Sequence, residues 1–467
     1  MTEVVYQIYP RSFQDSDGDG VGDLAGIRSR LDHLSWLGVD VLWMSPIYPS
    51  PMADFGYDVS DYTDVDPVFG DLAEYDRLVE EAHARGLKVL MDVVPCHSSI
   101  EHPWFHEHPD WYIWRDEPNN WVSAFGGSAW TKLGDRYYLH SFYPEQPDLN
   151  WRNPEVAAAM QDVFRFWLGR GADGYRIDAI DRLMKDPELR DDPPASEPFG
   201  LPLREDEAKL ALTNSRNAPD TGAALAKIRE ACGDAFLVGE VYLPSARWQP
   251  YTDYFDAVFA FELLHSRWDA GPLRAAIEAT ARQPGAAWAL SNHDFGRLTT
   301  RFGDENARAA AMLLLTLPGP AFLYQGDEIG QAEGPPGTKF DRAGRDRHRH
   351  PMQWDASPTG GFTTGEPWLP LVDPARRNVA DQRDDPASML SLVRDLIALR
   401  RELGDEFELL DAADGVVAYR RGNHTVAINT TSEPLPVQLG TRVRIQTSAG
   451  AVQDDVLAPH AGAIGVD

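Results

Sequence analysis

The sequence predicts an α/β protein built on a closed (β/α)8 barrel, with a subdomain inserted after the third strand and a small C-terminal β-sandwich domain. Three observations lead there. Strand and helix signals alternate about eight times along the chain, and repeated βα units imply a parallel sheet that closes at eight. An aromatic, turn-rich stretch, 98–153, interrupts the alternation just after a strand. After residue 404 the helical period gives way to short alternating pieces such as 416–420 and 425–428. The rival is an open doubly wound sheet. No GxGxxG opens a helix after a strand, which weakens its dinucleotide-binding version.

The elements follow in order. Residues 4–8 are a short β-branched run, and 24–37 carry apolar residues at helical spacing up to Gly38. Residues 39–44 read as a strand, 72–84 as a helix ending near Gly86, and 88–94 as the third strand. The pattern resumes with a helix at 156–168, a strand at 174–178, a helix at 221–231 and a strand at 236–241. Later strands are expected at 257–261, 287–290 and 321–324. A second long loop, 184–220, is rich in Pro, Asp and Glu. The expected domains are a barrel from 1–97 and 154–403, an inserted subdomain from 98–153, and a C-terminal β domain from 404–467.

Composition bounds the function. Of 467 residues, 43% are hydrophobic and 25% charged, enough apolar material for a sizeable core. The net charge of −30 argues against nucleic acid and against an anionic membrane surface. Two cysteines, Cys96 and Cys232, exclude a disulfide framework and a CxxC metal site. The longest apolar run, 309–317, is too short for a bilayer span of about 20 residues. The start shows no basic region before an apolar stretch, so the expectation is a cytoplasmic protein without a signal peptide.

Candidate chemistry sits at predicted strand ends: His97, Arg176 and Asp178, Glu240, and His293 with Asp294. In a parallel barrel those ends share one mouth. Three carboxylates without cysteine ligands suit either oxygen-ligated metal catalysis or glycoside hydrolysis. Arg176 lies two residues before Asp178, so both side chains share a face, and its charge is expected to keep Asp178 ionised. The tryptophans of 98–153 are expected to be mainly core. The loop from Asp15 to Asp23 alternates carboxylates with glycines, which suits a hard cation.

The segments QIYPRSF, DGDGVGD, FGYDVSDY, DVVPCH, QPDLNW, GYRIDAI, GEVYL, SNHDFGR and HPMQWD resemble, in order, the motifs of the α-amylase superfamily of glycoside hydrolases (family 13). Within it they are most similar to the α-glucosidase and oligo-1,6-glucosidase group. The resemblance implies that Asp178 is the nucleophile, Glu240 the general acid and then base, and Asp294 the carboxylate that steadies the transition state. His97 and His293 resemble the histidines that bind hydroxyls of the glucose being cleaved. Asp58 and Arg349 resemble a pair that grips the terminal glucose, with Tyr57 as its stacking ring; Arg347 is left as a solvated loop residue. Arg297 resembles the arginine that closes the NHDxxR motif, behind the site. The resemblance also implies a structural Ca2+ (or Mg2+) held by Asp15, Asp17, Asp19, the Val21 carbonyl and Asp23, with no organic cofactor. Ala179, a small residue after the nucleophile, leans towards α-1,4 linkages. Pro95-Cys96 departs from the family's usual Val-Asn and reads as a local repacking, with a reactive thiol as the alternative.

The resulting expectation is a retaining, exo-acting α-glucosidase acting on short oligosaccharides. The rivals are a glucosyl transferase or sucrose isomerase with the same carboxylates, a non-catalytic barrel relative, and a metal-dependent hydrolase. Oligomeric state is left open.

Overall fold

A computed structural model describes residues 3–337 and 341–467. All eight expected barrel strands are present: Val4–Ile8, Val41–Met44, Lys88–Val93, Gly174–Ile177, Phe236–Gly239, Ala257–Phe259, Ala286–Ala289 and Ala321–Tyr324. They close into one barrel with each strand beside its neighbours in sequence and the first beside the eighth. The strands are almost wholly buried, as expected for a parallel sheet covered on both faces. Among the described residues no helix is long and apolar enough to cross a membrane.

Two expected elements are shorter than their apolar patterns. The 24–37 helix breaks into Leu24–Ser29 and Leu31–Leu37. The Arg30 N–H turns back to the Ile27 carbonyl at 3.0 Å, an i→i−3 bond that tightens and stops the first helix. The sixth strand stops at Phe259, and Phe261–Leu264 is already helical.

The chain forms two compact units. One comprises Met1–Leu42, Glu81–Leu87 and Glu262–Asp467. In it the first strand pairs with the eighth, Gln7 opposite Tyr324. Its C-terminal part holds a five-stranded antiparallel sheet (Phe407–Leu409, Val416–Arg421, His424–Asn429, Gly462–Val466, Arg442–Gln446, in spatial order) and a small three-stranded sheet. The longest apolar run becomes the helix Ala307–Thr316, in which only Arg308 escapes burial. The carbonyls at its C-terminal end have no partners within the helix. Two buried guanidinium groups supply them: Arg400 Nη1 donates to Leu315 and Leu317 (2.7 and 2.8 Å), and Arg421 Nη1 to Thr316 and Leu317 (both 3.0 Å).

The other unit comprises Trp43–Glu80 and Lys88–Phe261. Here the third to sixth strands run parallel, and the register sets Asp92 opposite Arg176. Between the third and fourth strands lies a three-stranded antiparallel sheet of Trp114–Arg115, Arg136–Leu139 and Trp130–Leu133. Trp111, Trp121, Trp130 and Trp151 are buried, so most of this segment's indoles are core. The loop 184–220 is stitched to this segment. Arg115 and Asn119 donate to the Leu189 carbonyl, Trp121 Nε1 to that of Arg190, and Asn120 and Asp192 exchange two hydrogen bonds of 2.8 Å.

Candidate active site

The fourth strand carries Arg176 and, one step past its end, Asp178, whose N–H donates to the Val93 carbonyl at 2.9 Å. Period two puts both side chains on one face. Ala179 then adopts a left-handed conformation (φ 44°, ψ 42°) that turns the chain out of the sheet. Its N–H points at Glu240 Oε2, 3.2 Å away. Glu240 follows the fifth strand, its N–H donating to Ile177 at 2.9 Å.

Arg176 gathers the acids. Its Nη1 donates to Asp178 Oδ1 (2.7 Å) and to Asp92 Oδ1 (2.9 Å), and its Nη2 to Glu240 Oε2 (2.7 Å). One buried guanidinium therefore holds Asp178 and Glu240 side by side, and the Glu240 side chain also hydrogen-bonds Asp178. Of the two, Glu240 is the more exposed, 23% against 9%.

Burial raises Asp178 to about 6, with Arg176 pulling down and the Asp92 charge pushing up. Desolvation of a closed site thus outweighs the ion pair in setting the value, yet at about 6 Asp178 is still mostly ionised at neutral pH, with Arg176 favouring the charged form. Asp92 was not singled out from the sequence. It is fully buried and also accepts from Trp43 Nε1 (3.1 Å) and Tyr57 Oη (2.9 Å). Its signal is an acid set among Val89, Leu90, Met91 and Val93.

Three other expected residues lie in the same unit. Tyr57 is buried, with the Arg176 guanidinium carbon 5.7 Å from its ring centroid. His97 is buried; its Nε2 lies 3.0 Å from Gln146 Nε2 and 3.1 Å from the Tyr57 carbonyl, and burial lowers its pKa to about 4. Asp58 accepts from Ser50 Oγ and from the N–H groups of Ala53 and Asp54 (2.8–2.9 Å), all on its own loop. Burial raises it to about 6. Cys96 is buried, its Sγ 3.9 Å from Lys185 Nζ, and Lys185 pairs with buried Asp148 at 2.5 Å. Burial pushes the Cys96 thiol up, which fits the repacking reading rather than a reactive thiol.

The other unit holds His293 and Asp294 after the seventh strand. Asp294 Oδ1 accepts from Arg345 Nη1 (2.9 Å) and Arg349 Nη2 (2.8 Å), while Arg349 Nε donates to the His293 carbonyl (2.9 Å). Arg345 is a second residue sequence reasoning passed over, because every arginine in a basic run looks alike before folding. Arg347 is exposed, as expected. Arg297 is fully buried, donating to the Gln325 carbonyl (2.7 Å) with its guanidinium 4.6 Å from the Tyr324 ring centroid.

In the acidic loop, Asp15, Asp17 and Asp19 bring oxygen atoms within 4.8 Å of one another. Burial alone would raise Asp15, but bonds from Thr363 Oγ1 and the N–H groups of Gly18, Gly20 and Asp17 hold it below the usual range. Asp23 is not in that group. Its carboxylate accepts from Gly26 N and Ser16 N (both 2.7 Å) and so caps the first helix.

Comparison with known proteins agrees with this architecture. A model of the alpha amylase catalytic domain matches residues 7–406. A probable alpha-glucosidase of Rhizobium meliloti is 40% identical over 91% of this chain and 87% of its own length. An oligo-1,6-glucosidase of Parageobacillus thermoglucosidasius is 38% identical over 93% and 90%. Among solved structures, the alpha-glucosyl transfer enzyme XgtA superposes with a TM-score of 0.91 at 39% identity, covering 99% of both chains. The trehalulose synthase MutB of Pseudomonas mesoacidophila superposes at 0.90 with 32% identity, covering 99% and 98%. The chain belongs to the alpha-amylase family of glycoside hydrolases.

Proposed function

We propose that this protein is a retaining α-glucosidase that releases glucose from the non-reducing end of short α-glucosides, with α-1,4 linkages favoured. The carrying observation is Arg176 bonded at once to Asp178 and Glu240. Carboxyl groups this close leave no room for the water that inverting enzymes place between acids roughly 6.5–9.5 Å apart. The closely spaced pair suits double displacement: Asp178 attacks the anomeric carbon while Glu240 protonates the leaving oxygen, then Glu240 deprotonates the water that releases the sugar. Asp294, held by two arginines, is assigned to sugar hydroxyls and the cation-like transition state; Tyr57, Asp58, His97, His293 and Arg349 are assigned to glucose binding.

The test is a panel of maltose, isomaltose, sucrose, trehalose and starch, with the first-formed anomer followed by proton NMR on an aryl α-glucoside, which releases a single glucose. Maltose cleaved, and α-glucose appearing first from the aryl glucoside, is the expected result. β-Glucose first would overturn retention, and starch as the best substrate would overturn the exo mode. A second reading, glucosyl transfer to another hydroxyl, is favoured by the likeness to XgtA over the whole chain. Product analysis at high acceptor concentration separates the two.

We also propose that Asp15, Asp17, Asp19 and the Val21 carbonyl hold a structural Ca2+, since hard oxygen donors suit that ion. Residues 98–153 and 404–467 are proposed as the inserted and C-terminal domains. Two unbridged, buried cysteines suit a reducing compartment such as the cytoplasm.

A further inference from the structure

The geometry points to Gln7 as a positioning residue that holds His293 in its neutral, Nε2-protonated tautomer. The inference rests on the functional reading above only for its consequence; the geometry stands without it. Gln7 lies on the first barrel strand and is buried, its carbonyl accepting from Gln325 N at 3.0 Å. That ladder bond holds the backbone, so the amide reaches His293 from a rigid base. Its Nε2 lies 2.7 Å from His293 Nδ1.

An amide nitrogen can only donate. Nδ1 must then accept, and the ring proton sits on Nε2. The opposite edge agrees: His293 Nε2 lies 3.4 Å from Asp294 Oδ2. A carboxylate at that distance ordinarily favours a second proton on the imidazole. Gln7 opposes it, because a protonated Nδ1 would face the amide N–H. Among the described residues, charged or titratable groups near the ring also include Arg349, which bonds the His293 carbonyl, Arg345, which bonds Asp294, and Tyr9, stacked on the imidazole at 6.0 Å. Both arginines also disfavour a cationic ring. His293 therefore offers the sugar a hydrogen-bond donor without adding charge, and Asp294 keeps its negative charge for the transition state.

The test is 15N NMR of histidine-labelled enzyme, with His293 assigned by its loss in His293→Gln. The expected spectrum shows an unprotonated Nδ1 and a protonated Nε2, unchanged across about pH 5–8, where histidines usually titrate. A proton on Nδ1, or an imidazolium appearing in that window, would overturn the inference. Gln7→Glu places an acceptor at Nδ1. His293 should then titrate within the window, and kcat/KM should acquire an added ionisation. A folded Gln7→Glu protein with unaltered tautomer and pH profile would also overturn it. Should that variant not fold, the wild-type spectrum decides alone. The spectrum does not depend on turnover, so an inactive protein with the expected tautomer would sink the glucosidase reading and leave this one standing.

Discussion

Around Arg176 three carboxylates compete for one positive charge, and each shapes the others. Asp178→Asn and Glu240→Gln remove reacting groups, so each should lower turnover of a chromogenic α-glucoside by at least about three orders of magnitude. Near-normal rates would refute the assignment. Asp92→Asn is subtler. It removes a negative charge that raises Asp178, so the acid limb of kcat/KM, which reports ionisation of Asp178, should move to lower pH. A limb that stays put or moves up would show that Asp92 does not act on Asp178. Ala179 sits at φ 44°, which β-branched residues tolerate badly. Ala179→Val should therefore cost about 1–3 kcal/mol in urea unfolding. The same variant should also shift the isomaltose-to-maltose ratio upwards; an unchanged ratio would remove the linkage argument.

At the scale of elements, the first strand and the turn that follows the eighth meet in a buried bond. Tyr6 Oη donates to Glu328 Oε1 at 2.6 Å, and Gly326 N to Oε2 at 2.7 Å. Burial raises Glu328 to about 7, so it carries its full charge only above that value. Tyr6→Phe removes one donor from a buried acceptor and should cost about 1–3 kcal/mol. The loss should be larger at pH 8 than at pH 5, because the protonated acid needs that donor less. Equal losses at both pH values, read by denaturant titration, would contradict the assignment. In the acidic loop two roles separate by residue. Chelation should lower the Tm of the wild type but leave an Asp17→Ala variant unmoved, and no shift in the wild type would mean that the loop holds no ion. Asp23→Ala loses a helix cap and should cost about 0.5–2 kcal/mol whether or not calcium is present.

For the whole molecule, the buried acids make stability depend on pH in one direction. Burial raises Asp58, Asp92, Asp178 and Asp327 to about 6, and Glu328 to about 7. Between their ordinary values and these, the folded protein binds more protons than the unfolded chain. Their contribution to stability therefore falls as pH rises through about 4–7, while His33, His97, His102 and His265, lowered by burial to about 3–4, oppose it up to about pH 6.5. The net charge of −30 acts the same way, since self-repulsion grows as carboxylates ionise. Above about pH 6.5 the histidines no longer titrate, so Tm should be higher near pH 6.5 than near pH 8, and salt should raise it most at pH 8. Paired acids such as Asp186, lowered to about 2 through its hydrogen bonds from Arg190, lose their contribution only as pH falls below about 4. A Tm that climbs steadily from pH 6.5 to 8 would contradict this account.

Strand order, strand identity and the position of each candidate acid at a strand end were legible in the sequence, because period-two and period-3.6 patterns are local properties of the chain. So were the catalytic candidates, since their motifs are contiguous. Folding alone could decide which groups meet. Asp92 joins Arg176 through the register of two strands 84 residues apart in their acids and bases, Arg345 joins Asp294 through a loop contact, and Gln7 reaches His293 across 286 residues. The same holds for Asp178: its titration follows from desolvation inside a packed site, a quantity that no stretch of sequence carries by itself.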